Sequence, residues 1–184
     1  LYFDSGEPPV HYLSKDYQSG PLSFAYFSEA DKIITNCGYG RRISKKTQFI
    51  SKFTSAQSTL CLNNTSVVKF KKNNLINKTY GATINNSFKI FDISRNEDKE
   101  NITISATHNA YLKKFGYLHK RTIKFCKKDS NITGSDYLLK KNQNEVNVDF
   151  SIRFHIYPGI NATQTMSRKS ILLQIDKKRS WIFF

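Results

Sequence analysis

The chain reads as an all-β protein, an antiparallel β-sandwich of about ten or eleven strands. Three observations predict this class. Apolar residues alternate with period two, β-branched and aromatic residues fill the apolar runs, and turn signals recur throughout. No stretch sustains a 3.6-residue period, so no helix is expected. At 184 residues the chain can bury a sizeable core as one domain. Its 39% hydrophobic content and mean hydropathy of -0.52 suit a folded domain with a polar surface rather than disorder.

Pro8-Pro9 should end an opening strand, because proline removes a ladder donor. Leu22, Phe24 and Tyr26 alternate with Ser23 and Ala25, and Lys32–Cys37 returns, which predicts a hairpin around Ser28–Asp31. Gly38 and Gly40 lead into a basic loop, Arg41–Lys52, and Ser58–Leu62 reads as a third strand closed by Asn63-Asn64. This unit, from Tyr17 to Leu62, should gather Gln18, Asn36 and Gln57. Val67, Val68 and Phe70 predict a short strand before a polar loop over Lys71–Lys78. Phe88–Ile93 is a strand and Arg95–Glu100 a charged turn. Ile102, Ile104 and Ala106 alternate in the next strand, and Phe115-Gly116 opens one that carries His119, Arg121, Ile123 and Phe125 on one face. Ile132–Leu139 continues the sheet. The longest alternation is Val146, Val148, Phe150, Ile152, Phe154 and Ile156, with Arg153 and His155 on its polar face. Ser170–Ile175 and Trp181–Phe184 complete the chain. LYFDSG and SWIFF both read as strands, so the chain is expected to be cut from something larger.

Lys and Arg number 29 against 14 Asp and Glu, a formal charge of +15. Such a surplus favours polyanions (nucleic acid, anionic lipid or acidic polysaccharide), and it is also what a chain rich in Lys, Asn and Ile carries as surface charge. Most basic doublets flank turns, where solvated charge is ordinary. Arg41, Arg42 and Lys45 differ, since they leave the hairpin together and suit a clamp on a polyanion. Nucleic acid rests on charge alone, without the aromatic-and-basic motifs of known readers. No run is long enough for a membrane span and no signal segment opens the chain.

Cys37, Cys61 and Cys126 are odd in number and widely spaced, without a CxxC pair, and read as buried free thiols beside strand residues. Of the histidines, His108, His119 and Arg121 form a cluster that can hold a carboxylate or sulfate, or can be ordinary cross-strand pairs. His155 with Arg153 suits either a surface strand or a cleft. No HExxH, GxSxG, supported Cys–His pair or phosphate loop appears, and Asp16, Asp92, Asp136 and Asp149 read mostly as turn or edge residues. Residue types and spacing thus indicate no catalysis, no metal and no cofactor. Seven Asn-x-Ser/Thr triplets in a chain this rich in those residues carry no inference of glycosylation.

The segments GPLSFAYF, IITNCG, SAQSTLCLNNTS, THNAYLKKFGYLHKRTIKF and FSIRFHIYPGI occur in the order seen in the C-terminal β-sandwich of heparinase II/III-like proteins, and the chain resembles that family over about residues 3–184. The resemblance implies a single domain over 1–184, cut from a parent whose N-terminal α/α toroid packs on it, with a cleft for a uronic-acid polysaccharide between them. Such lyases act by β-elimination, with the main catalytic Tyr and His on the toroid, and family habit places them in the periplasm. The family's HxH falls here on Asp16 and Gln18, its Asp on Asn36, and its last His on Gln57. Amides are poor zinc ligands, so no zinc is expected, and the three should hydrogen-bond internally instead. His108, His119, Arg121, Arg153 and His155 match the family's motifs and join Arg41, Arg42 and Lys45 as candidates for substrate contact. The competing reading is a glycan-binding or scaffold module whose parent has lost lyase activity.

Overall fold

The computed structural model describes residues 1–71, 82–141 and 147–184, and among them the chain is all-β, with thirteen strands in four antiparallel sheets. Strands β1 (Tyr2–Phe3), β2 (Phe24–Ser28) and β3 (Asp31–Thr35) come first, then helix α1 (Lys45–Ile50) and β4 (Leu60–Leu62). A four-stranded meander follows: β5 (Ile90–Glu97), β6 (Asn101–His108), β7 (Tyr117–Cys126) and β8 (Asn131–Lys140), with helix α2 (Leu112–Phe115) before β7. The last strands are β9 (Phe150–Ile152), β10 (His155–Ile156), β11 (Asn161–Gln164), β12 (Ile171–Gln174) and β13 (Ser180–Phe183).

The expected hairpin forms, with Ser28 opposite Asp31. Its sheet runs β1-β2-β3-β10. The strand expected over Ser58–Leu62 does not join that sheet: β4 starts at Leu60 and pairs with β9, Leu60 opposite Ile152. The long alternating strand up to Ile156 is broken. β9 pairs with β4, β10 pairs with β3, and Arg153-Phe154 lies between them. Ser58 makes this change of partner possible, because its Oγ accepts from the His155 N–H at 2.9 Å where a strand carbonyl would otherwise stand. Val146, and the expected loop over Lys71–Lys78 from residue 72 onward, lie outside the described residues.

Three further expectations are corrected. Phe70 makes only an isolated bridge to Ile84. Arg95–Glu97 extends β5 instead of turning, after an irregularity between Phe91 and Ser94 where Asp92 takes a positive φ. Helices α1 and α2 stand where only loop or strand was expected. Ser44 caps α1 by accepting from the Thr47 N–H at 3.0 Å, and Gly116, left-handed at φ 79°, closes α2.

Two apolar clusters form the core. One gathers Leu22, Leu60, Leu62, Val68, Phe88 and Tyr111. The other gathers Phe24, Tyr26, Ile33, Ile34, Ile123 and Leu173, packed by Trp181 and Phe183 of the C-terminal sheet β11-β12-β13. Arg179 ties that sheet to the β2–β3 turn through Glu29 at 3.5 Å and Asp31. Beside the second cluster lies a cavity of about 340 Å3, walled by Phe24, Tyr26, Phe154 and Trp181 and reaching Arg121 and Asp136.

Candidate functional site

The strongest polar feature lies where the two apolar clusters meet. The register of β6, β7 and β8 puts His108 opposite His119, Ala106 opposite Arg121, and Arg121 opposite Asp136. These side chains share the inward face because they alternate with Lys120 and Thr122 on β7. His108, His119 and Arg121 are 0%, 0% and 2% exposed. Charged groups this deep require partners, and each donor nitrogen has one. Arg121 Nε and Nη2 donate to the two oxygens of Asp136 at 2.7 and 2.9 Å, a bidentate fork. Its Nη1 donates to the carbonyls of Leu22 and Ser58 at 3.0 and 2.8 Å. The guanidinium thereby joins the meander to the chain segments before β2 and β4.

The histidines continue the network with a defined proton order. The Ala110 N–H donates to His108 Nδ1 at 3.2 Å, so that nitrogen is an acceptor and Nε2 carries the proton. His108 Nε2 then donates to His119 Nδ1 at 3.0 Å, and His119 Nε2 donates to Asp136 Oδ1 at 2.6 Å. Both rings are neutral. Burial first, then the proximity of His119, whose ring could not be protonated together with it, and the charge of Arg121 hold His108 well below the usual imidazole range. Burial also lowers His119, against the upward pull of Asp136. Burial alone would raise Asp136, but hydrogen bonds from His119 and Arg121 and the guanidinium charge outweigh it and hold the carboxyl at about 2. The carboxylate that this His–His–Arg cluster holds is the chain's own.

Ser58 is a second junction, fully buried. Its N–H donates to Asn36 Oδ1 at 2.7 Å, its carbonyl accepts from Arg121, and its hydroxyl donates to the Thr35 carbonyl while accepting from His155. Asn36 in turn donates to Ser23 Oγ at 3.1 Å. Gln57, 1% exposed, donates to the Ser51 carbonyl at 2.8 Å. It leaves no room above Gly20, where a Cβ would stand 2.8 Å from Gln57 Cγ. Gln18 is half-buried, and its main-chain carbonyl accepts from the Gly20 N–H at 2.9 Å. Asn36 and Gln57 thus spend their amides on internal bonds between segments. Among the described residues no group of three or more His, Cys, Asp or Glu is arranged to hold a metal ion.

An exposed basic ridge lies next to this junction. Arg41, Arg42, Lys45 and Lys46 are all exposed, and the segment that carries them is helical rather than a loop. Its base is fixed. Tyr39 donates its hydroxyl to Asp16 Oδ1 at 2.5 Å and accepts from Gln48 of α1. Gly40 lies against α1 so closely that a Cβ would meet the Thr47 backbone at 2.8 Å. Below the ridge Lys52 is 2% exposed, and its ammonium donates to the carbonyls of Lys15 and Ala82. Burial lowers the Lys52 ammonium, against the upward pull of Asp16.

The remaining candidates stand apart. Arg153 donates to Ser151 Oγ at 2.7 Å and Asn64 Oδ1 at 2.9 Å. His155 faces Cys37, with Nδ1 3.2 Å from Sγ and Nε2 3.1 Å from the Ser55 carbonyl. Cys61 is buried as expected, but Cys37 is exposed and Cys126 half-buried, because both sit just where a strand ends. Asp136, Ser58 and the Cys37–His155 pair were missed in the sequence. Only Asp136 left a signal there, since it alternates with Ile132 and Leu138 on an inward strand face that a carboxylate cannot occupy unpaired.

The sequence profile of the family described as "Heparinase II/III-like, C-terminal" matches residues 1–184. FtsZ-localized protein C of Caulobacter vibrioides (strain NA1000 / CB15N) is 22% identical over 185 residues, an alignment covering 97% of this chain and 31% of that protein. The chain thus spans about a third of the length of the curated relative it matches. No solved structure matches it. Over its whole length, the chain belongs to the heparinase II/III-like C-terminal family.

Proposed function

We propose that this domain is the β module of a polysaccharide-lyase-type parent and forms one wall of a cleft for an acidic, uronic-acid-bearing polysaccharide. An N-terminal α/α toroid of the same parent forms the other wall and carries the catalytic groups, so the module alone does not catalyse. The observation that carries this reading is the ridge of Arg41, Arg42 and Lys45. It is exposed, anchored at its base, and stands beside Asp16, one of the positions where the family resemblance places ligand histidines. Guanidinium groups are suited to carboxylate and sulfate because their planar forks bond both oxygens at once. His108, His119 and Arg121 are assigned a positioning role, since the chain itself occupies their polar atoms. Arg153 and His155 remain candidates at the border. A periplasmic location fits this substrate class, and among the described residues no helix is long and apolar enough to cross a membrane.

A second reading has its own support. Asn36 and Gln57 stand at family ligand positions yet bond internally, which suits a scaffold or glycan-binding module of a parent without lyase activity. FtsZ-localized protein C, named for a location, is compatible with such a role. Two measurements separate the readings. The parent incubated with uronic-acid glycans should generate the ultraviolet absorbance of an unsaturated uronate if it is a lyase, and none if it is a scaffold. For this module, binding to heparin should persist at salt concentrations that abolish binding to duplex DNA. Equal, steep salt slopes for both would mean bare charge attraction and would refute the cleft-wall reading.

A further inference from the structure

Cys37 and His155 are 118 residues apart in the chain, yet the strand junction presses them together. Cys37 leaves the end of β3 with its N–H fixed on the Ala56 carbonyl at 2.9 Å. His155 lies on β10 opposite Thr35, with its own N–H fixed on Ser58 Oγ. Neither backbone is free to drift from the other.

The ring orientation gives the pair its chemistry. The Ser55 carbonyl only accepts, so the nitrogen 3.1 Å away, His155 Nε2, carries the proton. That leaves the Nδ1 lone pair directed at Cys37 Sγ across 3.2 Å. A nucleophile within hydrogen-bond reach of a base, with the base oriented by a third group, is the arrangement that activates thiols. Burial of its inner side pushes the Cys37 thiol up, so the sulfur rests protonated and depends on its neighbour to lose that proton. The outer side is open. Cys37 is exposed, and a Cβ placed on the adjoining Gly38 would meet nothing within 4 Å.

We propose that Cys37 and His155 form a base-assisted reactive-thiol site that takes small hydroperoxides and converts Cys37 to a sulfenic acid. The sulfur attacks the terminal peroxide oxygen. An S–O bond forms while the O–O bond breaks, and the departing oxygen takes the electron pair. The thiol proton passes to His155 Nδ1 and from there to that oxygen, which leaves as water or an alcohol. Cys37 loses two electrons and the hydroperoxide gains two. The Ser55 carbonyl steadies the transient imidazolium from its far side. The open space beside Gly38 leaves the sulfur accessible to a small electrophile. This chemistry is independent of the polysaccharide reading.

The other thiols provide comparisons within the same molecule. Cys61 is buried and directed at the Thr65 carbonyl at 3.2 Å. Cys126 is half-buried and faces a carboxylate, Asp129 Oδ2, at 3.8 Å. The test exposes the full chain to hydrogen peroxide with dimedone present and follows sulfenic-acid tagging of each cysteine peptide by mass spectrometry. A positioned general base predicts that Cys37 tags at least about tenfold faster than Cys126. In His155→Gln, with Trp181 emission unchanged as the sign of an intact fold, the Cys37 rate should drop to that of Cys126. Equal rates for Cys37 and Cys126 in the unaltered protein would overturn the proposal without any variant. A folded His155→Gln protein that keeps the fast Cys37 rate would overturn it as well.

Discussion

Arg121 shows how one buried side chain can organise a fold. Its three nitrogens make four hydrogen bonds, to Asp136, Leu22 and Ser58, which joins three parts of the chain at the border of two apolar clusters. Arg121→Met would leave Asp136 buried without its main counter-charge and should destabilise the domain by roughly 3–5 kcal/mol, read from urea unfolding. The double variant Arg121→Met/Asp136→Leu should recover much of that loss, because an apolar pair needs no desolvated charge. The same cluster sets a pH dependence. His108 and His119 titrate lower folded than their ordinary 6.5, so the unfolded chain binds protons first. Stability from this source is complete above that value and falls as pH drops below it. Asp136 has a folded value of about 2 against an ordinary 3.8, so its contribution is complete above 3.8 and is lost toward 2. Urea midpoints measured against pH should therefore decline in two phases, and His108→Gln should diminish only the upper one. The shared face of His119 and Arg121 was legible in the sequence, because strand alternation shows it directly. The role of Ser58 was not, since a serine's four backbone and hydroxyl bonds leave no pattern along the chain.

Elements were legible in proportion to their length and regularity. The β2–β3 hairpin and β6 through β8 follow from alternation and turn residues. Helices α1 and α2, with six and four residues, are too short to display a helical period, and tertiary contacts stabilise them instead. The alternation ending at Ile156 predicts one strand where the structure has two, because alternation reports which side chains face inward but not which strand supplies the hydrogen bonds. Ser58→Ala tests the account of that break. It removes the acceptor for His155 N–H and the donor to the Thr35 carbonyl, and should cost about 1–3 kcal/mol, with faster hydrogen exchange confined to β10 and its neighbours. Gly40→Ala tests how α1 is held. The added methyl meets the Thr47 backbone, so α1 must shift, costing about 1–3 kcal/mol. Heparin affinity should fall although the net charge is unchanged. An unaltered affinity would show that the position of the ridge does not matter.

At the scale of the whole molecule, the fold brings the sequence-predicted candidates to four separate places. His108, His119 and Arg121 are a structural network, Arg153 reaches Asn64, His155 faces Cys37, and only Arg41, Arg42 and Lys45 present a cationic surface to solvent. Family membership was legible because motifs spread along the chain occur in series. The division of labour among the basic residues was not, because burial depends on strand pairing between distant segments. With a formal charge of +15, this protein attracts a polyanion to many surfaces, so a polysaccharide site is distinguished by its place rather than by charge. Heparin binding by two variants that lose the same charge tests for such a site most directly. Arg41→Ala/Arg42→Ala/Lys45→Ala should weaken binding by roughly tenfold or more at near-physiological salt, whereas Lys169→Ala/Lys177→Ala/Lys178→Ala should change it only slightly. Equal losses in the two variants would contradict a polysaccharide site on the ridge.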